Sequence, residues 1–358
     1  MPAPARTVAF DILRKVDGGG YASELLLSRC AALDSRDASL ASEIVFGVLR
    51  YRAQLDYLIE LYAGRPAKLD GEVRAALRMG IYQLRYLDRI PPHAAVADSV
   101  ELVKRARKRS AAGLVNAVLR RVNRDAVRWP SREIELSCPE WLLARWESSY
   151  GAEAAAGIAR AALEEPRKDT RGGRRQDIGA QSIVPLLRLS GGQTFLDLCA
   201  APGNKTAQAL ESGVRAIACD LHYQRVAQLK GITANLVVLD GTRPLPFART
   251  FERILVDVPC SGTGTLGRNP EIKWRLAAAD LDRLHTLQAA LLANARAALS
   301  PGGLLVYSTC SLEPEENEAV VSAVPPALVV ETMRRLPGRD PGDGFYAAVI
   351  KSEKPTND

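Results

Sequence analysis

Histidine is scarce. Three occur in 358 residues, His93, His222 and His285, each isolated and none at a metal-ligand spacing, so they read as structural or surface residues. The six cysteines, Cys30, Cys138, Cys199, Cys219, Cys260 and Cys310, form no CxxC pair and no zinc-knuckle spacing, which argues against a structural metal. No uncharged apolar run approaches the roughly 18 residues that a membrane-spanning helix needs. The opening stretch "MPAPARTVAFDILRKV" has no charged-then-apolar leader. These absences point to a cytoplasmic protein with reduced thiols, no membrane partner and no metal. Internal repeats and low-complexity tracts are also missing, as are the dinucleotide pattern GxGxxG and the Walker lysine of triphosphate sites.

What is present suffices for two domains. A chain of 358 residues, 47% hydrophobic and 25% charged, exceeds a typical single core and has the composition of a folded protein. Its net charge of +7 is unevenly placed: residues 1–130 hold 22 Lys and Arg against 14 Asp and Glu, leaving the remainder close to neutral. A basic domain joined to a neutral one suggests that the first holds a polyanion while the second does something else. A solvated cationic face without a partner is the plainer alternative.

Residues 6–124 have helical periodicity. In "LASEIVFGVLRYRAQLDYLIELY" apolar residues fall at Leu40, Ile44, Val45, Val48, Leu49, Leu55, Leu58, Ile59 and Tyr62, the three-and-four spacing of a buried stripe. Turn signals at "DGGG", "GRPAKLDG" and "RIPPHAAV" each precede a new periodic segment, so an all-helical bundle is expected. Its densest cationic run, "VKRARKRSAAGLVNAVLRRVNR", suits phosphates. A further helical stretch, "PEWLLARWESSYGAEAAAGIARAALEE", runs into the basic "PRKDTRGGRRQD", which reads as a linker. From Gln176 the texture changes to short strands alternating with helices: "TFLDL", "VRAIACD", "NLVVLD", "RILVDV", "GLLVYS", "ALVVE" and "YAAVI". That alternation predicts a mostly parallel sheet covered on both faces.

In "TFLDLCAAPGNKTAQAL" a strand ends near Leu198, a small-residue turn spans Cys199 to Asn204 and a helix opens near Lys205. Small side chains let the turn pass close to a ligand, and the helix start favours an anionic group. Asp220, Asp240 and Asp257 close the next three strands, at the sheet edge where open α/β folds bind nucleosides. Any one of these acids alone reads as a turn residue; three together suit an adenosine with a short charged tail, S-adenosylmethionine rather than a triphosphate.

Cys260 follows the fourth strand and Cys310 the fifth. A free cysteine is usually an inert small hydrophobe, and Cys30, Cys138 and Cys219 fit that reading, while Cys199 is expected to contribute its backbone. Two thiols at adjacent strand ends, in turns rich in Pro, Ser, Thr and Gly, are harder to dismiss; a disulfide between them is disfavoured in a reducing compartment. A nucleophile beside a methyl donor suits alkylation of carbon 5 of cytosine, which reacts poorly until a thiolate adds to carbon 6. A second basic group then helps to remove the carbon 5 proton.

The stretches "LDLCAAPGNKT", "DVPCSGTGTLGRNPEIKW" and "VYSTCSLEPEENE" resemble the signature motifs of the RNA cytosine-C5 methyltransferases. The stretches "GGYASELLL", "LRMGIYQLRYLDRIPPHAAVADSVELVK" and "GLVNAVLRRV" resemble the NusB-like RNA-binding domain of the bacterial small-subunit ribosomal RNA subgroup, called RsmB, Sun or Fmu. The resemblance implies an α/β Rossmann-like class I methyltransferase domain preceded by an all-α NusB-like helical domain. The nucleophile of that family falls on Cys310, and the cysteine that assists product release on Cys260. It further implies that Cys199, Ala200, Ala201, Pro202, Gly203, Asn204 and Lys205 hold the methionine moiety. Asp220 would take the ribose, Arg225 would be a further cofactor contact, Asp240 would lie near the adenine, and Asp257 would face both cofactor and cytosine. The Asp257 carboxyl group, ionised or protonated, would bond the polar edge of the base, with Lys205 orienting it.

The resemblance implies S-adenosylmethionine as cofactor and 16S ribosomal RNA as partner, naked or within a ribosomal assembly intermediate. The expected divisions are 1–130 for the NusB-like domain, 131–175 for a helical connector and basic linker, 176–352 for the methyltransferase domain and 353–358 for a tail. Two departures stand out. Asn204 occupies a usual glycine position, where it would tolerate a positive φ. The small α/β segment that family members carry between "AALEEP" and "RRQDIGAQS" is missing. The rival functions are the same chemistry on transfer RNA and a non-catalytic, antitermination-like RNA-binding protein.

Overall fold

The computed structural model describes residues 2–64, 68–233 and 235–352; the expected tail lies outside them. Contacts group the chain into two units. One comprises Met1–Glu147, Ala159–Glu165 and Leu266–Arg275, the other Ser148–Ile158, Pro166–Thr265 and Leu276–Asp358.

The first unit is built on helices α1 (Pro4–Asp17), α2 (Ala22–Arg29), α3 (Ser35–Arg50), α4 (Arg52–Ala63), α5 (Gly71–Tyr86), α6 (Pro92–Arg105) and α7 (Ala112–Arg120). The Asp34 side chain caps α3 by accepting the Asp37 amide at 2.8 Å, and α4 stops at Gly64, whose φ of 76° is left-handed. The stripe legible in the sequence is the buried one: Ile44, Val45, Val48, Leu49, Leu55, Leu58 and Ile59 all lie in the core. Helices α3 and α5 approach so closely at Gly47 that an added Cβ would lie 1.9 Å from the Tyr82 ring.

A helix cannot satisfy its own last carbonyls. Those of α3 are met by a remote stretch: Lys273 Nζ donates to the Arg50 carbonyl at 2.9 Å and Trp274 Nε1 to the Leu49 carbonyl at 2.8 Å. Glu271 accepts the Ala22 amide at the start of α2, at 2.9 Å. Burial of Lys273 pulls its pKa down to about 8. The sequence assigns Leu266–Arg275 to the domain beginning at 176, whereas its contacts join it to the helical unit.

The second unit contains a short hairpin, β1 (Thr170–Arg171) and β2 (Arg174–Arg175), and a sheet of β3 (Thr194–Asp197), β4 (Arg215–Asp220), β5 (Leu236–Val238), β6 (Phe251–Asp257), β7 (Leu299–Thr309), β8 (Val329–Arg335) and β9 (Phe345–Lys351). The sheet order is β5-β4-β3-β6-β7-β9-β8. Strands β3 to β7 pair in parallel, while β9 runs antiparallel to β7 and β8. Both faces are buried, as a parallel sheet requires. Leu196, Ile254, Val256, Leu305 and Tyr307 pack with Leu291, Leu292 and Ala295 of the helix Ala278–Ala297. From the other face, Phe195, Leu255 and Val306 pack with Ile183, Leu187 and Ala209. The register sets Asp197 beside Leu255, Asp220 beside Val238 and Asp257 beside Ser308, so the carboxyl ends of these strands share one edge.

The segment read as a linker is a hairpin. Thr170 pairs with Arg175 and Arg171 with Arg174, and the chain turns at Gly172 and Gly173 with φ of 53° and 74°. Two consecutive left-handed residues make the turn whose twist matches a hairpin.

Candidate active site

The loop after β3 is fixed from below and from the side. Ala200 donates its amide to the Cys219 carbonyl at 2.8 Å, and the Ala201 amide reaches Asp220 Oδ2 at 3.3 Å. Arg225 closes this cluster, with Nε 3.1 Å from Asp220 Oδ2 and Nη2 3.1 Å from the Ala201 carbonyl. The left-handed residue of the loop is Gly203, with φ of 102°, and an added Cβ there would meet Ile232 and Leu229 at 2.4 and 2.5 Å. Asn204 is the first residue of the helix Asn204–Leu210 and has no positive φ. Its side chain instead donates to the Arg175 carbonyl at 2.8 Å. Asp240 lies two residues beyond β5 and bonds locally, accepting from the Thr242 amide and hydroxyl at 3.0 and 2.6 Å. Those two bonds hold its carboxyl below the usual range.

Lys205 turns toward the β6 end, where its ammonium lies 2.6 Å from Asp257 Oδ2, and Ser308 donates to Asp257 Oδ1 at 2.7 Å. Burial works against the Lys205 charge, but the Asp257 charge and hydrogen bond outweigh it, with Cys310 and Asp197 adding in the same sense, and the pKa rises. Both Asp257 oxygens accept hydrogen bonds.

The two expected reactive thiols meet. Cys260 Sγ and Cys310 Sγ are 3.3 Å apart, both half-buried, in turns stitched by the Gly264 amide donating to the Cys310 carbonyl at 2.9 Å. Cys260 is pushed well above the ordinary thiol value, first by its hydrogen bond with Cys310 and then by burial. Burial raises Cys30, Cys199 and Cys219, the last to about 12, and Cys138 is fully buried.

Sequence reasoning missed two acids. Glu316, fully buried, accepts from the Ser261 amide at 2.8 Å, from Gln288 Nε2 at 2.9 Å and from the hydroxyls of Ser261 and Ser311. It therefore binds the residue after Cys260 and the residue after Cys310. The run "EPEENE" gives no hint of which acid turns inward. Asp197, at the end of β3, is 1% exposed; Thr206 Oγ1 donates to one of its oxygens at 2.7 Å, and the other has no partner. Burial raises its pKa to about 7. Its place within "LDL" reads as an ordinary strand end. Among the described residues no group of three or more His, Cys, Asp or Glu could hold a metal ion, and no helix is long and apolar enough to cross a membrane.

Two family models match the chain: the NusB family over residues 3–124, and the 16S rRNA methyltransferase RsmB/F family over residues 184–327. A ribosomal RNA small subunit methyltransferase B from Sodalis glossinidius is 34% identical, with 97% of this chain and 96% of that protein covered. The chain belongs to the RsmB/F family. A homonymous relative from Cronobacter sakazakii is 33% identical over 94% of this chain and 96% of its own length. The Sodalis alignment runs over 428 residues, against 358 here, so this relative of the RsmB/F family carries residues that the present chain lacks. Among solved structures, PH0851 superposes with a TM-score of 0.77 at 20% identity, covering 98% of this chain and 99% of its own. A methyltransferase homolog from Pyrococcus horikoshii gives 0.50 at 22% identity over 62% and 97%. Both share the fold.

Proposed function

We propose that the protein methylates carbon 5 of a cytosine in small-subunit ribosomal RNA, using S-adenosylmethionine and a covalent bond between Cys310 and carbon 6. The observation that carries this reading is the 3.3 Å contact between the Cys260 and Cys310 sulfurs, at the same sheet edge as the Lys205–Asp257 pair. Methyl transfer to a ring nitrogen or a hydroxyl needs no covalent nucleophile, whereas carbon 5 does. The names of the curated relatives support small-subunit ribosomal RNA as the substrate.

The residues present fit the cofactor. Asp197 offers a buried acceptor without a partner beneath a loop of small residues, a setting that suits an ammonium group. Asp220 and Asp240 follow at the next strand ends, where a ribose and an adenine would lie. Bound there, S-adenosylmethionine supplies an electrophilic methyl group.

The chain's own residues account for the rest. Once Cys310 has given its proton to water, the Cys260 thiol, whose own proton is retained because of Cys310 and burial, can donate to the resulting sulfur anion across the 3.3 Å contact. The Cys310 thiolate would add to carbon 6 and push the double-bond electrons toward carbon 5, making that carbon nucleophilic enough to take the methyl group that a bound donor would supply. With its sulfur bonded to carbon, Cys310 no longer holds the Cys260 proton in place. Cys260 then gives that proton to water and, as a thiolate, accepts the proton from carbon 5; the electrons of the broken carbon–hydrogen bond re-form the ring double bond and expel Cys310 as a thiolate. Asp257, steadied by Lys205 and Ser308, accepts a hydrogen bond from the amino edge of the base. The target must be unstacked to reach this site, at a cost of a few kcal/mol, which binding of RNA by the basic helical unit offsets.

Cys310→Ala should form no covalent complex with RNA carrying 5-fluorocytosine, where no proton can leave carbon 5, whereas Cys260→Ala should accumulate one on ordinary RNA. Trapping by the Cys310 variant would reverse the roles. Bisulfite sequencing of ribosomal and transfer RNA from cells with and without the protein should reveal a protected cytosine in the small-subunit RNA; protection confined to transfer RNA would move the substrate.

A further inference from the structure

The hairpin Thr170–Arg175 is held along one face of the helix that leaves the cofactor loop. Three anchors follow each other at helical spacing. Asn204 Nδ2 donates to the Arg175 carbonyl at 2.8 Å, Gln208 Oε1 accepts from Gln176 Nε2 at 2.9 Å, and Glu211 takes Arg171 through contacts of 3.2 and 2.6 Å. Residues 204 and 208 share one side of the helix, and Glu211 is the residue that follows its last turn. Gln176 and Gln208 are both 5% exposed, and Gln208 Nε2 goes on to the Gln181 carbonyl at 2.8 Å, so the anchoring amides are buried and paired.

This fastening presents two charges. Arg171 is neutralised by Glu211, but Arg174 and Arg175 are exposed and have no side-chain partner among the described residues. The Gly172–Gly173 tip is exposed too, leaving the approach to these arginines uncluttered. Their position is specific. The residue that holds the Arg175 carbonyl is followed directly by Lys205, whose ammonium reaches Asp257. A planar, permanently charged guanidinium grips phosphate oxygens in pairs.

We propose that the hairpin is an RNA clamp of the methyltransferase unit, with Arg174 and Arg175 holding phosphates that flank the target cytosine and Asn204 and Glu211 fixing the clamp beside the cofactor loop. The inference rests on the RNA reading above. It assigns to six residues a share of the RNA grip in a chain shorter than its relatives.

The test uses the full chain and a transcribed small-subunit ribosomal RNA, with binding followed by anisotropy across salt concentrations. Arg174→Ala with Arg175→Ala should weaken binding about tenfold at low salt and reduce the slope of log affinity against log salt by about 1.4, at about 0.7 for each single-strand phosphate contact. The KM for RNA should rise with little change in kcat, and S-adenosylhomocysteine affinity should stay as in the parent. Arg171→Ala with Glu211→Ala keeps the net charge and both exposed arginines but removes an anchor, and should raise the same KM several-fold. Unchanged RNA affinity and salt slope in the first variant would overturn the clamp. A parent protein that binds RNA through the arginines yet transfers no methyl group to it would leave the clamp standing and overturn the catalytic reading.

Discussion

Glu316 accepts the backbone amide of Ser261 at 2.8 Å across 55 positions of sequence, while the same carboxylate takes the hydroxyl of Ser311. One buried carboxyl group thus fixes the turns of both Cys260 and Cys310. Glu316→Gln puts an amide where four donors converge, and should lower kcat about a hundredfold, the cost of a misplaced reacting group, with RNA affinity unchanged. Glu316→Ala leaves those donors unpaired and should cost about 3 kcal/mol in denaturant unfolding. Equal losses of RNA affinity and turnover in Glu316→Gln would argue for general disruption instead.

Asp197 makes ligand-free stability depend on pH. Its carboxyl group, ordinarily near 3.8, is pushed up to about 7 by burial, so the folded protein keeps a proton that the unfolded chain releases. The stability tied to that proton is present in full below pH 3.8 and declines as pH rises toward 7. Asp197→Asn should remove the decline, gaining on the order of 2–4 kcal/mol over the parent at pH 7, measured by urea unfolding at several pH values. It should also weaken S-adenosylhomocysteine binding, since an amide cannot ionise to meet an ammonium group as the Asp197 carboxyl group can.

Lys205→Met strips Asp257 of its ionic partner inside a site where the two side chains are 14% and 27% exposed. Turnover should drop about a hundredfold, the scale of a lost electrostatic contact in a protected site, and Lys205→Arg should recover part of it. Asp257→Asn should lose turnover with cofactor affinity retained; turnover intact in that variant would exclude Asp257 from contact with the base.

Gly47→Ala should destabilise the helical unit by about 2–3 kcal/mol, because its methyl group falls 1.9 Å from the Tyr82 ring. In a Tyr82→Leu background the added methyl should cost less, a coupling that a double-mutant cycle in thermal unfolding reads directly.

Much of the fold was legible because burial writes a period into the chain. The stripe from Ile44 to Ile59 and the seven apolar runs from Phe195 to Ile350 each mark an element with one or two faces in a core. Asp220, Asp257, Cys260 and Cys310 were legible as a group because parallel strands bring their carboxyl ends to one edge. Glu316 was not, since nothing in a run of acids distinguishes the one that meets a serine amide from its solvated neighbours. The hairpin escaped for a related reason: Gly172 and Gly173 read as flexible linker glycines until a helix face supplies Asn204, Gln208 and Glu211 to receive the strands. Asn204 was singled out for its backbone, whereas Gly203 takes the strained conformation and leaves Asn204 free to use its side chain.

The stretch that completes α3 has a consequence for how the protein is made. Lys273 and Trp274 cover the helix end, yet they leave the ribosome more than a hundred residues after the rest of their unit. At about 5–20 residues per second, a nascent chain spends about 10–45 seconds with the Leu49 and Arg50 carbonyls awaiting their partners. A gene fragment cut before Leu266 encodes a bundle that never receives its closing piece, and should prove leaky to amide hydrogen exchange at the end of α3.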